Sequence, residues 1–169
     1  MNREEFERAV REHKDRVHSH AVWVLKGRED SRDVAQEALL RLWVHRSKVR
    51  PDTVGSWLLK TTHNLCIDRL RRGNVRHEVD PERLELVEDS DTQGPERSLD
   101  NADLGAAIAE ALATLSPRDR SVVLMREHHG MSYDEIADAV DLPLGTLKSI
   151  LHRSRERLRR ALTTAGVAP

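Results

Sequence analysis

Apolar side chains recur along this chain at steps of three and four residues, and no segment alternates apolar and polar residues in twos. That period belongs to the helix and not to the strand, so the chain is read as all-α. Phe6, Val10, Val17, Ala21 and Val24 form the first stripe, with Gly27 as its expected C-terminal stop. Asp30 or Ser31 is the expected cap of a second helix, whose apolar face is Val34, Ala35, Ala38, Leu39, Leu42 and Trp43. Pro51 and Gly55 mark a loop. A third helix is expected over about Thr53 to Arg72, buried along Leu58, Leu59, Thr62, Leu65, Cys66 and Leu70. Trp57, Lys60, Asn64, Asp68 and Arg71 fall together on another of its faces. Trp23 and Trp43 read as core residues, and Trp57 reads as packing.

The formal net charge of −1 hides an uneven distribution. Residues 1–75 carry a net +5, residues 76–104 a net −7 and residues 105–169 a net +1. The acidic middle also holds Pro81, Gly94 and Pro95 and has no sustained apolar period. It reads as a flexible linker with a short turn at Glu82–Val87. The expected organisation is therefore two small helical domains, 1–75 and 105–164, joined by the acidic linker 76–104 and followed by a tail at 165–169. Each domain is small for a core of its own, so a large partner is expected to help hold them.

Several classes are disfavoured by composition. Aromatic residues make up 3%, which argues against a sugar-binding groove. No run of 18 apolar residues occurs, so no membrane insertion is expected. The start MNREEFERAV lacks the apolar core of a secretory signal. The single cysteine, Cys66, cannot form an internal disulfide, and a cytoplasmic location is expected. Nine histidines are present, among them His13, His18, His20, His128 and His129, yet no Cys/His quartet has zinc spacing. No P-loop, nucleophile elbow or HExxH run occurs, so no catalytic residue, metal, cofactor or small-molecule substrate is expected. The chain ends within about ten residues of the last expected helix; a fused sensory module is not expected.

The second half carries the sharpest local signals. Leu104 to Leu115 is apolar and Ala-rich, and Ser116-Pro117 is a helix start, a capping serine before a first-turn proline. That helix is expected to reach about His129 and stop at Gly130. Ser132-Tyr133-Asp134-Glu135 has the form of a capping box. Ile136, Ala137 and Val140 face inward, and Asp141-Leu142-Pro143 breaks the chain. Thr146 is the expected cap of a last helix buried along Leu147, Leu151, Ser154, Leu158 and Leu162. A short capped helix, a break and a longer helix with a basic exposed face fit a DNA-reading helix-turn-helix. The helix start offers free amides to a phosphate. Lys148 and Arg153 can reach phosphates or guanine edges, and Ser149 is short enough to allow close approach. From His152 to Arg160 five arginines stand against one glutamate, which supplies a counterion-release contribution to nucleic-acid binding.

The run LATLSPRDRSVVLMREHHGMSYDEIADAVDLPLGTLKSILHRSRERLRRAL resembles region 4 of the extracytoplasmic-function (ECF) sigma factors of bacterial RNA polymerase. DSRDVAQEALLRLW and GSWLLKTTHNLCIDRLRR are similar to region 2 of the same family, in the family's order. The resemblance implies a non-enzymatic factor that binds core RNA polymerase, recognises −10 and −35 promoter DNA and starts its melting. It implies polymerase docking through Asp33, Val34, Gln36 and Glu37, and capture of a flipped −10 base by Asn64. Asp68, Arg69, Arg71 and Arg72 match positions beside that base. The loop from about His45 to Val54 corresponds to the family's base-specificity loop. Arg126, Thr146, Lys148, Ser149, His152 and Arg153 are the expected −35 set. Ile150 departs from the arginine common in the family's GTVKSR run and is expected to extend the buried stripe. The family also implies an anti-sigma factor as partner, and a linker threading the polymerase in imitation of RNA's charge. The alternatives weighed are a stand-alone helix-turn-helix regulator and a sigma mimic that sequesters an anti-sigma factor.

Overall fold

A computed structural model describes residues 1–79 and 99–167. Seven α-helices follow one another: α1 (Arg3–Leu25), α2 (Arg28–His45), α3 (Val54–Val79), α4 (Leu99–Ala113), α5 (Pro117–Val123), α6 (Tyr133–Val140) and α7 (Leu144–Thr164). A one-turn 3-10 helix at Pro51–Thr53 precedes α3, and a π-helical turn at Leu124–His128 continues α5. Among the described residues there is no strand. The turn expected at 82–87 lies outside them.

The helix ends follow local chemistry, not always at the expected residue. Asn2 caps α1: its side chain accepts from the Glu5 amide at 2.9 Å, and its own amide donates to the Glu5 carboxylate at 2.7 Å. The stop of α1 is Lys26, in the left-handed conformation at φ 57°, and not Gly27. Gly27 is extended and serves as N-cap of α2, so neither Asp30 nor Ser31 caps that helix. The Ser31 hydroxyl donates back to the Gly27 carbonyl, and Asp30 pairs with Arg69 at 2.8 Å. Helix α3 outruns its expected end at Arg72 and continues to Val79. Gly55 lets its first turn cross α1 closely, since a Cβ there would sit 3.3 Å from the Arg16 and His13 side chains. The Ser132–Glu135 capping box forms as the spacing predicts.

Two apolar clusters hold the fold. One lies within α1–α3 and centres on Val17, Ala38, Leu42, Val54 and Leu58. The other joins both halves of the chain: Ala21, Val24, Leu59 and Cys66 pack with Val122, Met125, Ile136 and Leu151. The two helical domains are thus closed on each other, α1 lying against α5 and α3 against α6. Burial within this shared cluster pushes the Cys66 thiol up to about 12. Ile150 is 1% exposed and does extend the α7 stripe. Trp43, expected in the core, is instead at the surface. Leu42 takes the inward position beside it, while Phe6 meets the indole edge-on at 4.9 Å and Arg46 lies 3.9 Å above it.

The junction of the halves is fastened by Arg120, which the apolar pattern does not reveal. Its side chain is buried and has no carboxylate partner among the described residues. It donates to the carbonyls of Leu112 at 2.9 Å, Leu115 at 3.0 Å, Val24 at 3.0 Å and Trp23 at 3.3 Å. These oxygens close the C-terminal ends of α4 and α1, where helix carbonyls lack intrahelical donors and carry partial negative charge. Arg120→Met is expected to destabilise the chain by about 3–5 kcal/mol, because it leaves buried acceptors unpaired. Urea unfolding followed by circular dichroism measures this, and a loss below about 1 kcal/mol would mean that water replaces the guanidinium.

Candidate nucleic-acid interface

Helix α7 has two unlike faces. Leu147, Ile150, Leu151 and Ser154 are buried at helical spacing. Thr146, Lys148, Ser149, His152 and Arg153 are all exposed. Lys148, Ser149, His152 and Arg153 line one shallow surface concavity. The turn before α7 is sharp: Asp141 is left-handed at φ 55°, the Leu142 amide donates to the Ala137 carbonyl at 3.0 Å, and Pro143 follows. Pro143, not Thr146, is the N-cap, and no side chain caps this end. The first intrahelical bond runs from the Leu147 amide to the Pro143 carbonyl at 3.0 Å. Thr146 therefore lies in the first turn, where backbone amides have no helical acceptor and suit an anion.

The basic run is less uniform than its composition suggests. Arg155 donates to Glu127 at 2.5 and 2.9 Å, and this bond to a carboxylate pushes the guanidinium above its ordinary range. Arg157 donates to the Thr114 carbonyl at 3.2 Å, and Arg159 pairs with Glu156. Among the described residues Arg153 and Arg160 make no hydrogen bond or ion pair. Arg126 is half-buried, donates to the Met131 carbonyl at 2.8 Å and lies 4.6 Å over the Tyr133 ring. It braces the approach to α6, so only part of its donor set faces outward.

On α3, Asn64, Asp68, Arg71 and Arg72 are exposed. Lys60, one turn before Asn64, reaches across to α6 and donates to the Asp138 carbonyl at 2.9 Å and carboxylate at 3.0 Å. Arg69 is bound by two carboxylates of α2, Asp30 and Asp33, each at 2.8 Å. Two residues expected in different sites, Asp33 and Arg69, are thereby one ion pair. On α2, Asp33 and Gln36 are exposed and Glu37 pairs with Arg41 at 2.8 Å. Val34 is 4% exposed and packs beneath that face in the cluster shared by the two halves. Leu40 and Val44, 61% and 68% exposed, continue that face toward the helix end. They lie outside the expected docking set, although the spacing of three, four and four from Asp33 through Gln36 to Leu40 and Val44 places them on one side.

Four histidines gather where the halves meet. His20 and His63 are buried, His129 is half-buried and His128 is exposed. Among the described residues no group of three His, Cys, Asp or Glu side chains is placed to hold a metal ion.

A family model described as Sigma-70 region 2 matches residues 9–76, and one described as Sigma-70, region 4 matches residues 105–158. The chain is 35% identical over 155 residues to ECF RNA polymerase sigma factor SigE of Mycolicibacterium smegmatis, covering 91% of this chain and 60% of that protein. It is 32% identical over 163 residues to the RNA polymerase sigma-E factor of Streptomyces coelicolor, covering 94% and 86%. It is 27% identical over 158 residues to ECF RNA polymerase sigma factor SigW of Bacillus subtilis, covering 89% and 84%. The structure of the sigma factor RpoE of Bartonella quintana, solved with the anti-sigma factor NepR, matches with a TM-score of 0.80 at 20% identity over 94% of this chain and 96% of that one. That likeness is one of fold.

The split within the arginine run is measurable. Arg153→Ala is expected to weaken binding to duplex DNA by about 1–3 kcal/mol if it reads a base. Arg159→Ala is expected to change it by less than about 1 kcal/mol, because that guanidinium already faces Glu156. Fluorescence anisotropy at matched salt compares the two, and equal losses would make the run an undifferentiated cationic surface.

Proposed function

The chain belongs to the extracytoplasmic-function sigma factors of bacterial RNA polymerase, and on that premise we propose how its surfaces divide the work of initiation. It is a transcription initiation factor, joining core polymerase and taking it to promoter DNA in the cytoplasm. We assign residues 1–75 to polymerase and −10 binding and residues 105–164 to −35 binding, with 76–104 as the linker between. Helix α2 docks the polymerase through Asp33, Gln36 and Glu37, extended by Leu40 and Val44. An acidic strip ending in exposed apolar side chains suits a basic partner surface with an apolar margin. Asn64 receives a base drawn out of the stack, its amide able to donate and accept on one base edge. Arg71 and Arg72 meet the phosphates beside it. Arg69 joins them when a partner takes over Asp33, since an exposed ion pair is weak enough to exchange.

At the other element α7 enters the major groove. Lys148, Ser149, His152 and Arg153 face the bases and phosphates, Thr146 offers its first-turn amide, and Arg126 supports the backbone contact. The observation that carries this reading is the clean division of α7 into a buried apolar face and an exposed polar one, in a chain that also holds a region 2. The chain has no catalytic role of its own; the polymerase supplies the chemistry. An anti-sigma factor is a fitting partner, since RpoE, which shares this fold, was solved with one. The net −7 of residues 76–104 suits a basic channel that otherwise takes RNA.

In transcription from a promoter library with purified core polymerase, the full chain is expected to direct promoter-specific initiation. Absence of any polymerase association, with no inhibitor present, would remove the reading. Asn64→Ala is expected to slow strand opening, followed by permanganate reactivity, more than it weakens the closed complex. Equal losses at both steps would count against base capture.

A further inference from the structure

The polar contacts between the halves form one continuous chain. The Arg16 Nε–H donates to His129 Nδ1 at 3.2 Å, and Arg16 Nη2 donates to the His129 carbonyl at 2.8 Å. His129 Nε2 lies 3.1 Å from His20 Nδ1, and His20 Nε2 lies 2.9 Å from the Ser121 hydroxyl. That hydroxyl lies 2.8 Å from His63 Nδ1. Arg16, His20 and His63 belong to α1 and α3, whereas Ser121 and His129 come from α5 and the turn after it. Each histidine link of the chain therefore crosses from one half of the protein to the other.

Hydrogen-bond direction along this chain is determined from one end. A guanidinium only donates, so His129 Nδ1 must be a lone pair. Neutral His129 then carries its proton on Nε2 and donates to His20 Nδ1. His20 in turn carries its proton on Nε2 and donates to Ser121. The serine hydroxyl, accepting from His20, completes the chain with His63 Nδ1 either by donating to it or by accepting through its second lone pair. The tautomers of His129 and His20 are thus fixed from the Arg16 end. Protonating His129 sets its Nδ1–H against the Arg16 donor. Protonating His20 sets its Nδ1–H against His129 Nε2–H, and protonating His63 places a cation in the buried junction.

We propose that Arg16, His129, His20, Ser121 and His63 form a proton-sensitive clasp: with neutral imidazoles it holds the two domains shut, and protonation opens the protein into the extended form that a promoter requires. The second clause rests on the initiation role above. About 25 base pairs separate −10 from −35, or about 85 Å of duplex. A compact chain of this length is about 40 Å across, so the closed form cannot touch both elements at once. Residues 80–98 can bridge at most about 65 Å when fully extended, which allows the opened domains to reach them. Opening also releases Lys60, one turn from Asn64, from Asp138.

The surroundings favour the neutral state. Burial comes first, pushing His63 down to about 4 and His129 down to about 3, and holding His20 well below its usual range. Fixed positive charge acts in the same sense: Arg16 beside His129 and His20, and Arg118 of α5 beside His63. Burial lowers the Arg16 pKa, opposed by the carboxylates Glu135 of α6 and Glu12 of α1, and an arginine starts so high that it keeps its charge at the head of the chain. Half-exposed His129 is the point at which a proton can enter. In the open form the three imidazoles regain an ordinary value near 6.5, so the open form binds more protons. The preference for closure is full above about pH 6.5 and falls as the pH drops. From pH 7.5 to 5.5 it shrinks about tenfold per histidine, about a thousandfold for the three.

Small-angle scattering of the full chain, paired with far-ultraviolet circular dichroism, tests this. Between pH 7.5 and 5.5 the radius of gyration is expected to rise from about 16 Å while helix content holds. The triple variant His20→Gln/His63→Gln/His129→Gln is expected to lose that response. Nitrogen-15 spectra of the wild-type imidazoles, which need no variant, are expected to show the Nε2–H tautomer at His20 and His129 at pH 7.5. A constant radius, expansion accompanied by loss of helix, a triple variant that still responds, or an Nδ1–H tautomer at His20 or His129 would overturn the clasp. No polymerase or DNA is present in these measurements. Their failure leaves the initiation role standing, and failure to transcribe leaves the clasp standing.

Discussion

One guanidinium sets the relation between the two halves of this protein. Arg120 is buried with no opposite charge beside it among the described residues, an arrangement that would ordinarily be costly. It persists because the carbonyl ends of two helices converge on it and distribute a negative potential over four oxygens. Burial lowers its pKa, but an arginine starts so far above neutrality that the charge is kept. With Arg120 seated on the end of α1, the next two residues are placed as well. Ser121 meets His20 and His63, and Val122 enters the shared apolar cluster.

The other charged contacts contrast with it. Arg69 with Asp30 and Asp33, and Lys60 with Asp138, are solvent-accessible pairs whose partners can be exchanged at little energetic penalty. They occur on the faces assigned to polymerase and DNA. The protein thus keeps its most heavily bonded charge in the interior and its exchangeable ones at the surface. The same division runs through α7, where Arg155 and Arg157 tie the helix to Glu127 and Thr114 while Arg153 stays open to solvent.

Legibility followed the range of the interaction. The Ser132–Glu135 box, the break at Asp141–Pro143 and the buried α7 stripe including Ile150 all depend on neighbours within a few positions, and periodicity displays them directly. Trp43 is not legible in this way, because a period cannot tell the centre of an apolar face from its edge; Phe6 and Arg46 decide that it packs at the surface. Val34 was assigned to a binding face through family likeness alone, although its own spacing with Ala38 already put it in the core. Leu40 and Val44 went unread for the opposite reason, as apolar residues on the solvent side of α2.

The amino-acid sequence by itself determined the helices, the capping box, the helix-turn-helix and the pairing of a region 2 with a region 4, because those rest on local period and cap chemistry. Only the tertiary structure decided that the two domains close on each other, that Arg120 gathers the ends of α1 and α4, and that Arg16, His20, His63, Ser121 and His129 meet. Those contacts join residues up to 113 positions apart, and no local pattern encodes which polar side chains will share one buried junction. The physical reason is that a lone arginine or histidine looks the same on a solvated surface as in an interior. Its role emerges when packing removes water and leaves it a unique set of partners.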